Sequence, residues 1–432
     1  MYEQFEIKKG DVITITGAGG KTSLLFSLAQ ELSTIGKVAV TTTTKIYLPN
    51  PCSFEQLFTK DIEIKGSAHN IFVLGSSVEN GKITSLTYDE IERLKKIYDF
   101  ILIEGDGAKE KLLKEWNDRE PCIPNFSNKV IGVINMDIFD KKIDEDNIHR
   151  FELFSKKFSN YLSSTINEKF LVEYIEKAGY FRNSPNSEKF IFFNGIDGSN
   201  YLEKFSIAIE VANELTKFNF KPKLLFGSVN EHIIFPYIPV TAIVMASGFS
   251  RRMGQDKLKL KYRGISLLEN VLEKITFANF YQVIVCGRDK WTEEITKLYN
   301  FQYVENKNAH LGQSESIKLG IKNATGKAFV FFTGDQVLIT SNTIEKLYYN
   351  FEKYGYITIP QSNGNRFSPV FFPETKKNEL LLLEGDTGGR EVIKNTPLLS
   401  IVDFPYDNEF LDIDTSEDYL IINSNSIIKN KS

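Results

Sequence analysis

The chain has 432 residues, 42% hydrophobic and 25% charged, a globular composition well away from disordered or collagen-like chains. Lysine and arginine number 52 against 56 aspartates and glutamates, and the net charge of -4 lacks the basic excess that wrapping nucleic acid requires. The three cysteines Cys52, Cys122 and Cys286 form no CxxC pair, Met1 to Lys9 holds no apolar signal core, and no apolar run reaches the roughly 18 residues of a membrane span. A cytoplasmic protein in a reducing compartment, with neither nucleic-acid nor membrane partners, is expected.

The length suggests two or three domains of about 150 residues each. In the first half, strand-length apolar runs fall at Val12–Thr16, Lys37–Thr41, Ile71–Leu74, Phe100–Ile103, Val130–Ile134, Lys189–Phe193 and Lys223–Phe226, alternating with helix-length amphipathic segments. The first run leads into Gly17-Ala18-Gly19-Gly20-Lys21-Thr22 and a helical pattern over Ser23–Leu32. Strand, glycine loop, Lys-Thr and helix is the order a phosphate cradle needs, because backbone amides and a helix N-terminus then face the anion. It departs from a standard Walker A, since Ile15 stands five positions before Gly20. A purely structural glycine turn is the competing reading. Thr41 to Thr44 and Lys45 offer hydroxyls and a charge at the same sheet edge, and Glu104-Gly105-Asp106-Gly107-Ala108-Lys109 puts carboxylates at a strand end, where a Walker B acid would sit beside Mg²⁺.

Phe235-Pro236-Tyr237-Ile238-Pro239 reads as a stiff extended connector, which places domains at 1–235 and 240–432. The second half restarts the alternation at Thr241–Met245, Gln282–Val285, Phe301–Val304, Ala328–Phe332, Tyr356–Pro360 and Pro369–Phe372, and the polar tail Asn423–Ser432 reads as frayed. After Thr241–Met245 come Ala246-Ser247-Gly248 and the cations Arg252 and Lys257, a second phosphate grip. Asp335 ends the strand Ala328–Phe332, and Asp412 and Asp414 alternate in Phe410-Leu411-Asp412-Ile413-Asp414. Carboxylates meeting at one sheet edge can hold Mg²⁺, although Asp414 could instead cap a helix starting near Ser416. The four histidines, His69, His149, His232 and His310, show no ligand spacing, and the aromatics fall at packing positions.

Residues 240–420 resemble the MobA/MocA-like nucleotidyltransferases, and within them the molybdenum cofactor cytidylyltransferases. ASGFSRRMGQDKL is similar to that family's AAGxSxRMGxxKL, Leu311–Gly320 to its GxSxSLxxG, TGDQ to its GDQP, Gly385–Arg390 to its GDxGAR, and DIDTSEDY to its DxDTPEDL. Val337, Gly389 and Ser416 depart from those patterns, as does Arg366-Phe367-Ser368-Pro369, without removing a charge. The resemblance implies transfer of CMP from CTP to the molybdopterin-molybdenum cofactor with release of pyrophosphate. Arg252 then holds the β- and γ-phosphates and Lys257 the α-phosphate, while Asp335 and Asp414 carry Mg²⁺. Ala246, Ser247, Gly248, Gln313 and Ser314 are the nucleotide-binding candidates, with Gln313 and Ser314 reading the base, and Asp386 and Arg390 lie on the acceptor side.

The stretch from about Gly10 to Phe226 resembles the YqeC family, accessory proteins of selenium-dependent molybdenum hydroxylases, through GAGGKT, TTTTKIY, EGDGAK, the EPxIP segment and His149-Arg150. Phe192-Phe193-Asn194-Gly195-Ile196-Asp197 is similar to that family's FLNKxD, with Gly195 where lysine is usual. The resemblance implies phosphate binding by Gly17, Gly19, Gly20, Lys21 and Thr22 with Glu104 and Asp106, for ATP or GTP, and an apo molybdenum hydroxylase as partner. The expected fold is α/β throughout, in two domains, each a mostly parallel sheet flanked by helices. The first is P-loop-like and the second a Rossmann-like nucleotidyltransferase. Two other functions stay open: nucleotidyl transfer to a different phosphorylated acceptor, and a non-catalytic cofactor carrier.

Overall fold

The computed structural model describes residues 1–47, 56–59, 70–217 and 221–429; Cys52 and His69 lie outside them. The chain divides into two compact α/β units, Met1–Tyr237 and Ile238–Ser432.

The first unit is built on strands β1 (Val12–Gly17), β2 (Val38–Thr42), β3 (Gln56–Thr59), β4 (Ile71–Gly75), β5 (Phe100–Glu104), β6 (Lys129–Asn135), β7 (Glu188–Asn194), β8 (Lys223–Ser228) and β9 (Ile233–Pro236). Among the described residues they form one sheet in the order β9-β8-β7-β6-β1-β5-β2-β4-β3. All pairs are parallel except β8 with β9. Side chains alternate between faces, so Ile13, Ile15, Val38 and Val40 pack under the helix Lys21–Leu32, whereas Val12, Ala39, Ile101 and Ile103 meet Ile91 and Leu94 on the other side. Covering both faces explains why these strands read as continuous apolar runs. From β1 the chain crosses towards β2, and from β6 towards β7 on the opposite side, so the winding reverses beside β1. That reversal opens a crevice at the strands' C-terminal ends, where such sheets bind ligands.

The second unit comprises β10 (Val240–Ala246), β11 (Gln282–Gly287), β12 (Gln302–Glu305), β13 (Ala328–Thr333), β14 (Ile357–Ser362), β15 (Asn365–Arg366), β16 (Val370–Pro373) and β17 (Leu399–Asp403). The order is β12-β11-β10-β13-β16-β14-β15, with β17 parallel to β14. Strands β10 to β13 are parallel, and β16 runs antiparallel to both β13 and β14. Ile243, Ile284, Phe329, Phe331 and Ile359 form the core with Ile317 and Ile321 of the helix Gln313–Asn323.

Two expectations need correction. Phe235 and Pro236 belong to the edge strand β9, because Pro236 at a sheet edge leaves no inner ladder bond unmade. The tail is not frayed from Asn423 onward: that residue lies within a helix over Ser416–Lys429. At the start of the second unit, the amide of Ile238 donates to Oε2 of Glu352 at 2.8 Å, on the helix Ser341–Tyr354. Glu352 is buried with Oε1 unpartnered, and burial holds its carboxyl well above the usual range.

Candidate functional site

The second unit carries a cleft of ≈ 610 Å³ at the C-terminal ends of β10 and β13. Ser247, Gly248, Arg252, Lys257, Gln313, Asp335, Asp386, Asp412 and Asp414 line it. The loop after β10 is held from behind: Ser247 Oγ lies 2.7 Å from Ser316 Oγ, and the buried Asn306 Nδ2 donates to both hydroxyls, at 3.1 and 3.0 Å. Gly248, by contrast, faces open space, with no atom within 4 Å of where a Cβ would stand and no left-handed φ requiring glycine. The fold itself does not call for glycine there; close approach of a ligand would.

Lys257 Nζ bridges the carboxylates of Asp335 and Asp414, the latter at 2.8 Å, and Arg252 Nη1 reaches Asp414 Oδ2 at 3.0 Å. Burial works against the Lys257 ammonium, but Asp335 and Asp414 outweigh it and hold the ammonium above its ordinary range. Asp414 does not cap the following helix. Thr415 does, its Oγ1 accepting from the Asp418 amide at 3.2 Å while Asp418 Oδ2 accepts the Thr415 amide at 2.7 Å. The Asp414 side chain is thereby left to the cleft. Gln336 is buried and donates through Nε2 to the carbonyls of Ser368 and Phe410, both at 3.1 Å, which draws the Phe410–Asp414 segment against the end of β13.

Asp412 joins this cluster, accepting from Thr333 Oγ1 at 3.2 Å. Desolvation by the cleft wall, reinforced by the Asp335 charge, pushes its carboxyl up to about 6. The alternation Asp412-Ile413-Asp414 already signalled its place, Ile413 turning into the core between them. Among the described residues no three His, Cys, Asp or Glu side chains gather around a common point, Asp335 and Asp414 lying on either side of Lys257. The carboxylate oxygens of Asp335, Asp412 and Asp414 are donors of the kind a hard divalent cation takes, although Lys257 and Arg252 pair with Asp335 and Asp414 here.

Other candidates scatter. Ala246 is buried at the end of β10. Ser314 is fully buried with no partner for its hydroxyl and is not among the lining residues. Arg390 is exposed at the start of the helix Arg390–Lys394 and also off the cleft wall, whereas Asp386 lines it. His310 lines the cleft too.

In the first unit, Gly17, Gly19 and Gly20 all have positive φ, and a Cβ on Gly20 would stand 2.3 Å from Asn194 Nδ2. The helix Lys21–Leu32 starts on Gly20 without a side-chain cap, so its first amides face the crevice unpaired by side chains. Lys21 Nζ donates to the Gly17 carbonyl at 2.8 Å and lies 3.3 Å from Asp106 Oδ1. Asp106 is fully buried, and its Oδ2 takes the Gly17 amide at 3.0 Å, Trp116 Nε1 at 2.5 Å and the Lys114 ammonium at 3.2 Å. This marks it as an organiser of the loop. Glu104 Oε2 accepts from Thr22 Oγ1 at 2.7 Å, and burial holds its carboxyl above the ordinary range despite the nearby Lys21. The threonine run is spent on backbone: Thr41, Thr42 and Thr43 hydroxyls donate to the carbonyls of Leu74, Glu104 and Cys122.

A family model described as YqeC protein matches residues 13–152, and one described as MobA-like NTP transferase domain matches residues 242–400. The protein named "Uncharacterized protein YqeC" from Escherichia coli is 33% identical over 195 residues, covering 43% of this chain and 76% of that protein. The chain belongs to the YqeC family. To its YqeC part is joined a MobA-like NTP transferase domain. A "Probable molybdenum cofactor guanylyltransferase" from Natranaerobius thermophilus is 30% identical over 135 residues, 31% of this YqeC-family chain and 64% of that relative, so less than two thirds of its length is matched. Among solved structures, a nucleotidyl transferase from Methanothermobacter thermautotroptrophicus is 19% identical, covers 44% of this chain and 98% of its own, and has a TM-score of 0.39. Among the described residues of this YqeC-family protein, no helix is long and apolar enough to cross a membrane.

Proposed function

We propose that the second unit transfers a nucleoside monophosphate from a nucleoside triphosphate to a phosphorylated acceptor of the molybdopterin type, with release of pyrophosphate. One observation carries this reading: Lys257 and Arg252 converge with Asp335 and Asp414 opposite the open Gly248 loop in one cleft. A terminal phosphate oxygen of the acceptor attacks the α-phosphorus, the bond from that phosphorus to the bridging oxygen breaks, and pyrophosphate leaves with the electron pair. Such transfer needs positioning and charge neutralisation more than a protein nucleophile. Arg252 would orient the outer phosphates, and Lys257, released from its carboxylates, would meet charge building at the α-phosphate. Asp335, Asp412 and Asp414 would hold Mg²⁺, which supplies further neutralisation of the triphosphate.

The resemblance of Ala246-Ser247-Gly248 to the cytidylyl branch supports CTP as donor, and the match to a MobA-like NTP transferase domain supports a molybdopterin-type acceptor; the name of the Natranaerobius relative favours GTP. The first unit is read as binding ATP or GTP at its glycine loop and serving the maturation of an apo molybdenum hydroxylase, the domains dividing near 235–240. The test is pyrophosphate release and dinucleotide formation by the full chain with molybdenum cofactor, Mg²⁺ and CTP, GTP or ATP in turn. A CTP-selective product supports the cytidylyl reading and a GTP-selective one the guanylyl reading. No product with any nucleotide overturns both.

A further inference from the structure

Beside the glycine loop, the segment after β7 makes a second set of contacts that phosphate binding does not require. Asn194 is buried and works as a strut: its Nδ2 donates to the Gly19 carbonyl at 3.0 Å, and its Oδ1 accepts the Val229 amide, also at 3.0 Å. It thus locks the glycine loop to the segment after β8. Three residues on, Asp197 Oδ2 accepts from Ser228 Oγ, while its Oδ1 stays 3.9 Å from the Lys204 ammonium. The Asp197 side chain is 19% exposed, enough for a ligand to reach it. Lys204 is occupied elsewhere, by the Gly195 carbonyl at 2.9 Å and by Asp137 at 2.5 Å. Asp197 is therefore oriented by Ser228, with its Oδ1 held only by a long ion pair to Lys204 at 3.9 Å.

Its position is set by the sheet. β7 lies two strands from β1, across β6, so the glycine loop and the segment carrying Asp197 leave the sheet at the same edge, with Ser228 holding the Asp197 carboxylate at the end of β8. A ligand with phosphates on that loop would extend its far end towards Asp197. A carboxylate is an acceptor on both oxygens. Guanine offers two adjacent N–H donors, at N1 and the 2-amino group, whereas adenine and cytosine each set a ring-nitrogen lone pair beside their amino group, which a carboxylate repels. Gly195 has φ +83 and a Cβ there would stand 2.7 Å from Asn135 Oδ1, so the turn itself excludes the lysine usual at that position.

We infer that Asp197, aimed by Ser228, reads the base of a guanine nucleotide whose phosphates lie on the Gly17–Thr22 loop. The inference rests on the nucleotide-binding reading of the first unit and goes beyond it in naming the base. The test is equilibrium binding of GDP, ADP, IDP and XDP to the full-length protein with Mg²⁺, with binding that survives Lys21→Ala assigned to the second unit and subtracted. The wild type should favour GDP over ADP by about ten- to a hundredfold, with IDP, which lacks the 2-amino group, weakened in between. Asp197→Asn should invert the order of GDP and XDP, because an amide can donate to the 2-oxo group of xanthine. Ser228→Ala, which leaves the strut intact, should narrow the GDP preference. Equal, Lys21-dependent binding of GDP and ADP, or a preference that Asp197→Asn leaves unchanged, overturns the base assignment while nucleotide binding stands. No Lys21-dependent binding of any diphosphate overturns both. The IDP comparison uses wild-type protein, so misfolding of a variant cannot mask the answer.

Discussion

The Nζ of Lys257 and the Oδ1 of Asp414 stand 2.8 Å apart across 157 positions of sequence. Asp335 holds the same ammonium from its other side, so the cation is kept charged and pointed into the cleft without substrate. Lys257→Met should lower nucleotidyl transfer by about 10²- to 10³-fold, the usual effect of removing a donor aimed at developing charge. Pyrophosphate release is the measurement, and turnover within a few fold of wild type would take Lys257 off the phosphate path.

Two glycines at this cleft should behave differently. Gly248→Ala adds a methyl where nothing lies within 4 Å, so thermal stability should stay within about 0.5 kcal/mol while triphosphate affinity falls. Gly312 has φ +116, and its Cβ would stand 2.2 Å from the Gly385 carbonyl carbon, so Gly312→Ala should cost about 1–3 kcal/mol. Denaturant melts with and without nucleotide separate the two effects; equal destabilisation would contradict the open space at Gly248.

Asn306 supports the Ser247 loop through two buried hydrogen bonds. Asn306→Ala leaves both hydroxyls one partner short and should cost about 1–3 kcal/mol, with a larger loss in kcat than a stability effect alone produces. Melting temperature and steady-state kinetics on the same preparation decide it; unchanged kcat would make Asn306 a packing residue only.

Burial, together with the charges of Lys114 and Arg150, holds the His149 imidazole down to about 4 against 6.5 in an unfolded chain. Between those values the unfolded state takes up a proton that the folded state refuses, so this contribution is complete above about pH 6.5 and fades as pH falls towards 4. Melting of the wild type should therefore drop more steeply across that window than melting of His149→Gln. Parallel pH profiles would show that another group carries the dependence.

Where both faces of a sheet are covered, the sequence announced its strands, because an all-apolar run such as Phe100–Glu104 has few other folds open to it. The strand Leu399–Asp403 went unread: it pairs only with β14, and half-exposed positions break its pattern. Ile233–Pro236 hid behind its proline, read as part of an extended connector where it marks an edge. In the candidate site, charged groups after strands were legible because a carboxylate or ammonium at a strand end is conspicuous. Their supports were not. Asn194, Asn306, Ser316 and Gln336 are polar residues with partners far along the chain, Ser247 for both Asn306 and Ser316, and only the folded register brings each pair within hydrogen-bond reach. Ser314 shows the converse, a helix-start hydroxyl that looks available but turns inward.

The contact between the Ile238 amide and the buried Glu352 sets where a dissected transferase fragment can begin. A fragment starting at Val240 discards the donor and strands a buried acid whose other oxygen has no partner among the described residues, whereas one starting at Tyr237 retains it. The two versions of the second unit should therefore differ in yield and solubility on the presence of a single peptide N–H.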